Sequence, residues 1–200
     1  AFDAGVAGLL VGGVVEQDLY SLGGEALVLV YPKAEGEVIS ITGQGWAPSA
    51  ATIDYYLDRG KNVNGKGLDP AVIPGALHAA LTVLEKWGTM SFEEVSARAI
   101  EYAEYGFPLR PRTTAAIELD IEFINQWSDN QRTWLKSDGT LYAAGETIRL
   151  PNLASMLKRM VEAEQNNKAD GREMGIASAR DRFYKGDIAR EMVDFLQQHQ

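Results

Sequence analysis

Ala26-Leu27-Val28-Leu29-Val30-Tyr31, then Pro32-Lys33-Ala34-Glu35-Gly36, then Glu37-Val38-Ile39-Ser40-Ile41-Thr42 is the stretch that decides the fold. The first six residues are short, β-rich and apolar on both faces, which predicts a strand covered on both sides. A five-residue connection carrying Pro and Gly leads to a second β-rich run, so the pair reads as a β-hairpin near the N-terminus. Gly23-Gly24 just before it lets the backbone turn tightly or approach another chain closely, because glycine has no Cβ to clash. Gly43-Gln44-Gly45-Trp46-Ala47-Pro48 follows the second run. Beyond Thr52 the patterning is mainly helical, so the fold class is α+β, helices laid around a strand pair.

Working outward, residues 2–17 are Ala-rich and nearly apolar, punctuated by Gly5, Gly8, Gly12 and Gly13. Each glycine disfavours a helix by roughly 0.5–1 kcal/mol relative to Ala, so four of them need a packing gain. Gly5, Gly8 and Gly12 share one side, which predicts a buried helix that another backbone approaches closely. The run is short and glycine-rich for a membrane span, and no basic region precedes it as in a signal peptide. The chain opens on Ala1 with a helical pattern already under way, as expected of a processed or truncated piece whose targeting signal lay upstream.

Towards the C-terminus, Thr52 is a candidate N-cap and Gly60 a stop, and residues 61–69 read as a polar loop. Pro74 stands at a helix start, with Leu77, Leu81 and Leu84 as an apolar stripe ending at Gly88. Ser91-Phe92-Glu93-Glu94 is a capping-box pattern for a helix that stops at Gly106. Ile117, Ile121 and Ile124 continue a helical face towards Trp127, and Ser137-Asp138-Gly139-Thr140 is a turn. Leu153, Met156, Leu157, Met160 and Val161 have amphipathic spacing. Residues 166–175 read as a polar, mobile loop, and a last helix from about Asp187 turns Ile188, Met192 and Phe195 inward. With no repeat, low-complexity tract or linker, residues 1–200 are expected to form one domain.

Composition narrows the function classes. Hydrophobic residues make up 46% of the 200, enough for a core. A net charge of −9 and a pI near 4.8 argue against nucleic acid, whose partners carry basic surfaces. Without cysteine there is no disulfide or thiol chemistry, and the compartment stays open. Two histidines, His78 and His199, cannot make a histidine-rich metal site. No P-loop, dinucleotide fingerprint or nucleophile elbow is present. Asp54, Asp58, Glu93 and Glu94 sit where helix starts and solvated faces want acids. His78 reads first as a structural histidine with a ligand role as the alternative, and the Thr113-Thr114 pair reads as a cap. Gln44 and Trp46 follow a buried strand, where side chains often project into a cleft, and a pocket role is one of two open readings for them.

Order and spacing then add a resemblance. Asp3-Ala4-Gly5-Val6-Ala7, Gly13-Val14-Val15-Glu16, Leu22-Gly23-Gly24, Ala47-Pro48, Pro74-Gly75, Tyr105-Gly106-Phe107-Pro108, Pro151-Asn152-Leu153-Ala154 and residues 183–189 fall in one register. Together they resemble the large chain of the γ-glutamyltransferase family across essentially the whole sequence. The resemblance implies part of a four-layer αββα N-terminal-nucleophile hydrolase, made as a precursor that cuts itself. It implies a small chain as partner, whose new N-terminal threonine attacks a small-molecule γ-glutamyl amide of the glutathione type with its own α-amine as base. No cofactor and no metal are implied, and the acyl group passes to water or an amino acid. The nucleophile lies outside these 200 residues, so this chain by itself is expected to be inactive.

Two departures bear on specificity. The family typically has Arg-Glu-Thr-Ala-Pro after the second strand, its arginine holding the donor's α-carboxylate. The matching residues here are Gln44-Gly45-Trp46-Ala47-Pro48, which puts Gln44 at that substrate-binding position. A neutral amide cannot make the bidentate ionic contact. Glu25 and Ala26 also replace two glycines, and a carboxylate facing the pocket would discourage an anionic substrate. Both changes point to an acylase or amidohydrolase branch with another acyl group. The remaining alternative is a catalytically silent packing module.

Overall fold

The computed structural model describes residues 1–61 and 65–199. Part of the expected 61–69 loop, residues 62–64, lies outside the described residues. Helix α1 (Phe2–Val15) forms despite its glycines because Val6, Leu10 and Val14, spaced four apart, are all buried. The hairpin follows as predicted: β1 (Ala26–Val30) pairs antiparallel with β2 (Ile39–Gly43), Val28 opposite Ile41 and Val30 opposite Ile39. Gly36 closes the connection at φ +72°, a left-handed conformation that suits glycine.

Next come α2 (Ile53–Asp58), α3 (Ala76–Trp87) and α4 (Phe92–Tyr105). Thr52 caps α2 as expected, its hydroxyl accepting from the Tyr55 amide at 3.1 Å. The capping box of Ser91 and Glu94 is complete at the start of α4. The chain continues through β3 (Phe107–Pro108), α5 (Pro111–Leu119), α6 (Ile121–Ile124), α7 (Ser128–Trp134) and β4 (Thr147–Ile148), with β3 and β4 paired antiparallel. It ends in α8 (Pro151–Asn166), α9 (Arg172–Lys185) and α10 (Asp187–Gln198).

The core is continuous. Helix α1 packs on α3 and α4, α4 on α8, α8 on α9, and α9 on both α3 and α10. The inner hairpin face, with Val30 buried and Val28, Ile39 and Ile41 packed against the core, lies over α3. Leu77, Leu81 and Leu84, the stripe read from the sequence, are fully buried. Among the described residues no helix is long and apolar enough to cross a membrane.

Several expectations are corrected. The hairpin is not covered on both sides: Leu27, Leu29, Tyr31 and Val38 are 74%, 73%, 60% and 64% exposed. Alternation along each strand sends every second side chain to the outer face, and nothing within the described residues covers it. Gly5 and Gly8 face open space, so among the described residues no backbone approaches there. The close approaches are at Gly12 and Gly13, against Tyr20 and Leu22. Residues 166–175 are not a loop. Helix α8 runs to Asn166, a 3-10 turn covers Lys168–Asp170, and α9 begins at Arg172. The Ile117–Ile124 face breaks at Asp120 into two helices. Thr113 and Thr114 cap nothing: Thr113 is buried and donates to Asp18 Oδ1 at 2.6 Å, and Thr114 bonds back to the Arg110 carbonyl.

Candidate functional site

The two segments that meet at the head of α3 are the strand exit, residues 43–46, and the helix approach, residues 73–75. Their backbones touch. The Ile73 amide donates to the Trp46 carbonyl at 3.0 Å. A Cβ on Gly45 would lie 1.6 Å from the Ile73 carbonyl oxygen, and one on Gly75 would lie 2.3 Å from that of Gly43. Only glycine permits that contact. The Gly24 carbonyl closes the arrangement by accepting from the Gly75 and Ala76 amides at 3.0 Å each. Gly23-Gly24, read as a tight turn or close approach, therefore serves the start of α3, whose first amides have no partner within the helix.

Tyr184 of α9 supplies another partner. Its hydroxyl accepts from the His78 amide at 3.1 Å and donates to the Pro74 carbonyl at 2.7 Å. It thus does for α3 what a capping side chain does elsewhere, since the N-cap position is Gly75. Burial pushes its phenol up to about 12. The His78 ring stands edge-on to Tyr184, with centroids 5.5 Å apart and planes at 70°. His78 Nδ1 lies 3.4 Å from the Thr82 hydroxyl. Partial burial, and secondarily the Arg180 charge, push the imidazole below its ordinary value.

Between these parts lies a groove of about 360 Å³, lined by Gln44, Trp46, Ile73, Pro74, His78 and Tyr184 together with the end of β2. None of its lining residues is Asp, Glu, Lys or Arg. Gln44 is exposed, its amide has no hydrogen-bond partner among the described residues, and the Trp46 ring is 84% exposed. Glu25 is exposed and is not among the lining residues. Glu93 lies at the start of α4, where its carboxylate accepts from Gln165 at 2.9 Å. His78 and Tyr184 join Gln44 and Trp46 here, although no local pattern marks either. Residues 106 and 110 positions apart in the chain make these bonds, and spacing carries no such signal.

A helical lobe laid on an N-terminal hairpin is also the architecture of a solved γ-glutamyltranspeptidase from Helicobacter pylori. It superposes with a TM-score of 0.84 at 23% identity, over 99% of this chain and 53% of that one. The two share a fold over nearly the whole of this chain. A sequence profile of the family described as Gamma-glutamyltranspeptidase matches residues 1–200, and the chain belongs to that family. It is similar to the glutathione hydrolase proenzyme of Bacillus subtilis strain 168, 29% identical over 98% of this chain and 32% of the relative. It is also similar to the oxamate amidohydrolase proenzyme of Klebsiella pneumoniae, 27% identical over 96% of this chain and 34% of the relative. The chain spans about a third of the length of these curated relatives.

Proposed function

We propose that this chain is the large-chain part of a γ-glutamyltransferase-like acyl transferase, with residues 1–200 acting as one unit against a small chain cut from the same precursor. The threonine hydroxyl at the head of the small chain attacks the amide carbonyl of a γ-glutamyl donor, and its α-amine takes the proton. The amine half leaves protonated, and the acyl-enzyme passes its group to water or to an amino acid. Family membership carries this reading, and the open outer face of the hairpin supports it by offering the partner an apolar surface.

A second reading has its own observation. Gln44 lines the groove at the position where the family's arginine is expected, so an acylase or amidohydrolase branch with another acyl group is favoured there. An arginine–carboxylate pair contributes about 1.5–3 kcal/mol through charged hydrogen bonds. Its loss weakens γ-glutamyl donors by roughly 10- to 150-fold. The test is kcat/KM of the complete, self-processed enzyme for a γ-glutamyl anilide before and after Gln44→Arg. A tenfold gain or more supports Gln44 as the acyl-binding residue. Strong γ-glutamyl turnover in the wild type with no response to the substitution removes Gln44 from the site. Replacing the small-chain threonine by alanine should abolish both processing and turnover, and an unchanged rate would overturn the enzyme reading itself.

A further inference from the structure

The groove differs from a carboxylate site in more than one residue. No lining side chain is Asp, Glu, Lys or Arg, and partial burial pushes the single titratable base, His78, towards its neutral form. An acyl group bearing a carboxylate would meet no cation among these lining side chains to replace its lost water, which is costly. What the groove does offer is a flat apolar face, the Trp46 indole, and two neutral hydrogen-bonding groups, the Gln44 amide and the His78 imidazole. His78 is held in place from its far side. Tyr184 clamps its backbone amide and packs edge-on against its ring, while Thr82 stands beside Nδ1. Nε2 then has no hydrogen-bond partner among the described residues.

We propose that this groove takes an uncharged acyl group with a flat apolar portion, stacked on Trp46 and oriented by hydrogen bonds from His78 and Gln44. The inference rests on the acylase reading of the groove and deepens it by naming the acyl class. His78 becomes a specificity-determining residue, and Tyr184 the residue that positions it. Charge separates this class from γ-glutamyl donors, and the aromatic face separates it from small polar acyl groups such as that of oxamate. Aromatic stacking is directional and prefers an offset or edge-on partner, so a ring next to the scissile carbonyl fits better than a branched aliphatic chain.

Two measurements on the complete processed enzyme test this. The first is kcat/KM for phenylacetyl p-nitroanilide against γ-glutamyl p-nitroanilide. The phenylacetyl substrate is expected to be preferred tenfold or more. His78→Ala should raise its KM at least fivefold with little change in kcat, and His78→Gln, which restores a neutral hydrogen-bonding group, should recover most of the loss. Preference for the γ-glutamyl substrate, or a phenylacetyl KM indifferent to His78→Ala, overturns the proposal. The second is quenching of Trp46 fluorescence by phenylacetamide and by L-glutamine, with Trp46→Phe as the control for the other tryptophans. Quenching by phenylacetamide alone, with no turnover of either anilide, keeps the pocket and sinks the enzyme reading. Quenching by L-glutamine alone, or by neither, sinks the pocket.

Discussion

Glu164 of α8 holds the first amide of α4: its Oε1 accepts from the Phe92 N–H at 2.6 Å, and its Oε2 accepts from Glu93 at 2.7 Å. The next donors are taken locally. Ser91 Oγ accepts from Glu94, and the Glu94 carboxylate reaches back to the Ser91 amide at 2.8 Å. A buried carboxylate at a helix N-terminus also meets the positive end of the helix dipole. Gly175 makes the room, since a Cβ there would sit 3.0 Å from Glu164 Cγ. One side chain thus joins α4, α8 and α9.

Glu164→Ala leaves two amides without partners at a covered helix end. An unsatisfied buried donor costs about 1–3 kcal/mol, so the variant should lose stability on that scale in urea unfolding. Glu164→Gln retains one acceptor and should lose less. Equal stability of Glu164→Ala and wild type would show that water or a neighbouring side chain replaces the carboxylate.

Acid stability should report Asp3. Hydrogen bonds from the Met90 amide first, then the Thr89 amide and hydroxyl, hold its carboxyl below the usual carboxylate value. Asp187 is held well below that range by Arg182 and then Arg159. Both folded values are depressed. Their contribution is therefore whole above the unfolded value near pH 4 and is lost as the pH falls through the folded values. Asp3→Asn should be less stable than wild type at pH 7 and should lose less between about pH 4 and pH 2. Parallel curves for the two proteins over that interval would remove Asp3 from the acid transition.

The outer hairpin face predicts association. Leu27 and Leu29 stand opposite Thr42 and Ser40 on a surface that the described residues leave open. Apolar patches of this kind mark interaction surfaces. By light scattering the chain alone should self-associate, and the double variant Leu27→Ser, Leu29→Ser should be monomeric with unchanged helical circular dichroism. A wild-type monomer at high concentration would show that the face does not drive association.

Local signals were legible and distant ones were not. The hairpin, the Thr52 cap, the Ser91–Glu94 box and the Leu77–Leu81–Leu84 stripe are each written within a few residues, and each is found in place. Helix α9 is hidden because its buried side, Gly175, Ile176, Ala179 and Phe183, is partly small residues set among charges. The groove is half legible. Gln44 and Trp46 follow a strand and are singled out on that ground, and His78 reads first as a structural histidine, whereas Tyr184 and its meeting with His78 rest on contacts between α3 and α9. Thr113 looked like a cap because threonine near a proline-led helix start usually is one. Its true partner, Asp18, is 95 residues earlier.

The contact of residues 43–45 with residues 73–75 constrains how this site can be redesigned or can drift. Its floor is main chain against main chain, and any side chain added at Gly45 or Gly75 collides with a carbonyl. Variation that keeps the protein folded is thereby channelled to the rim, to the exposed Gln44 and Trp46 and to His78, whose ring meets only Tyr184 and Thr82 among the described residues. A saturation library confined to those three positions should sample new acyl preferences at little cost in folding yield. A library spread over the glycines should return mostly insoluble protein.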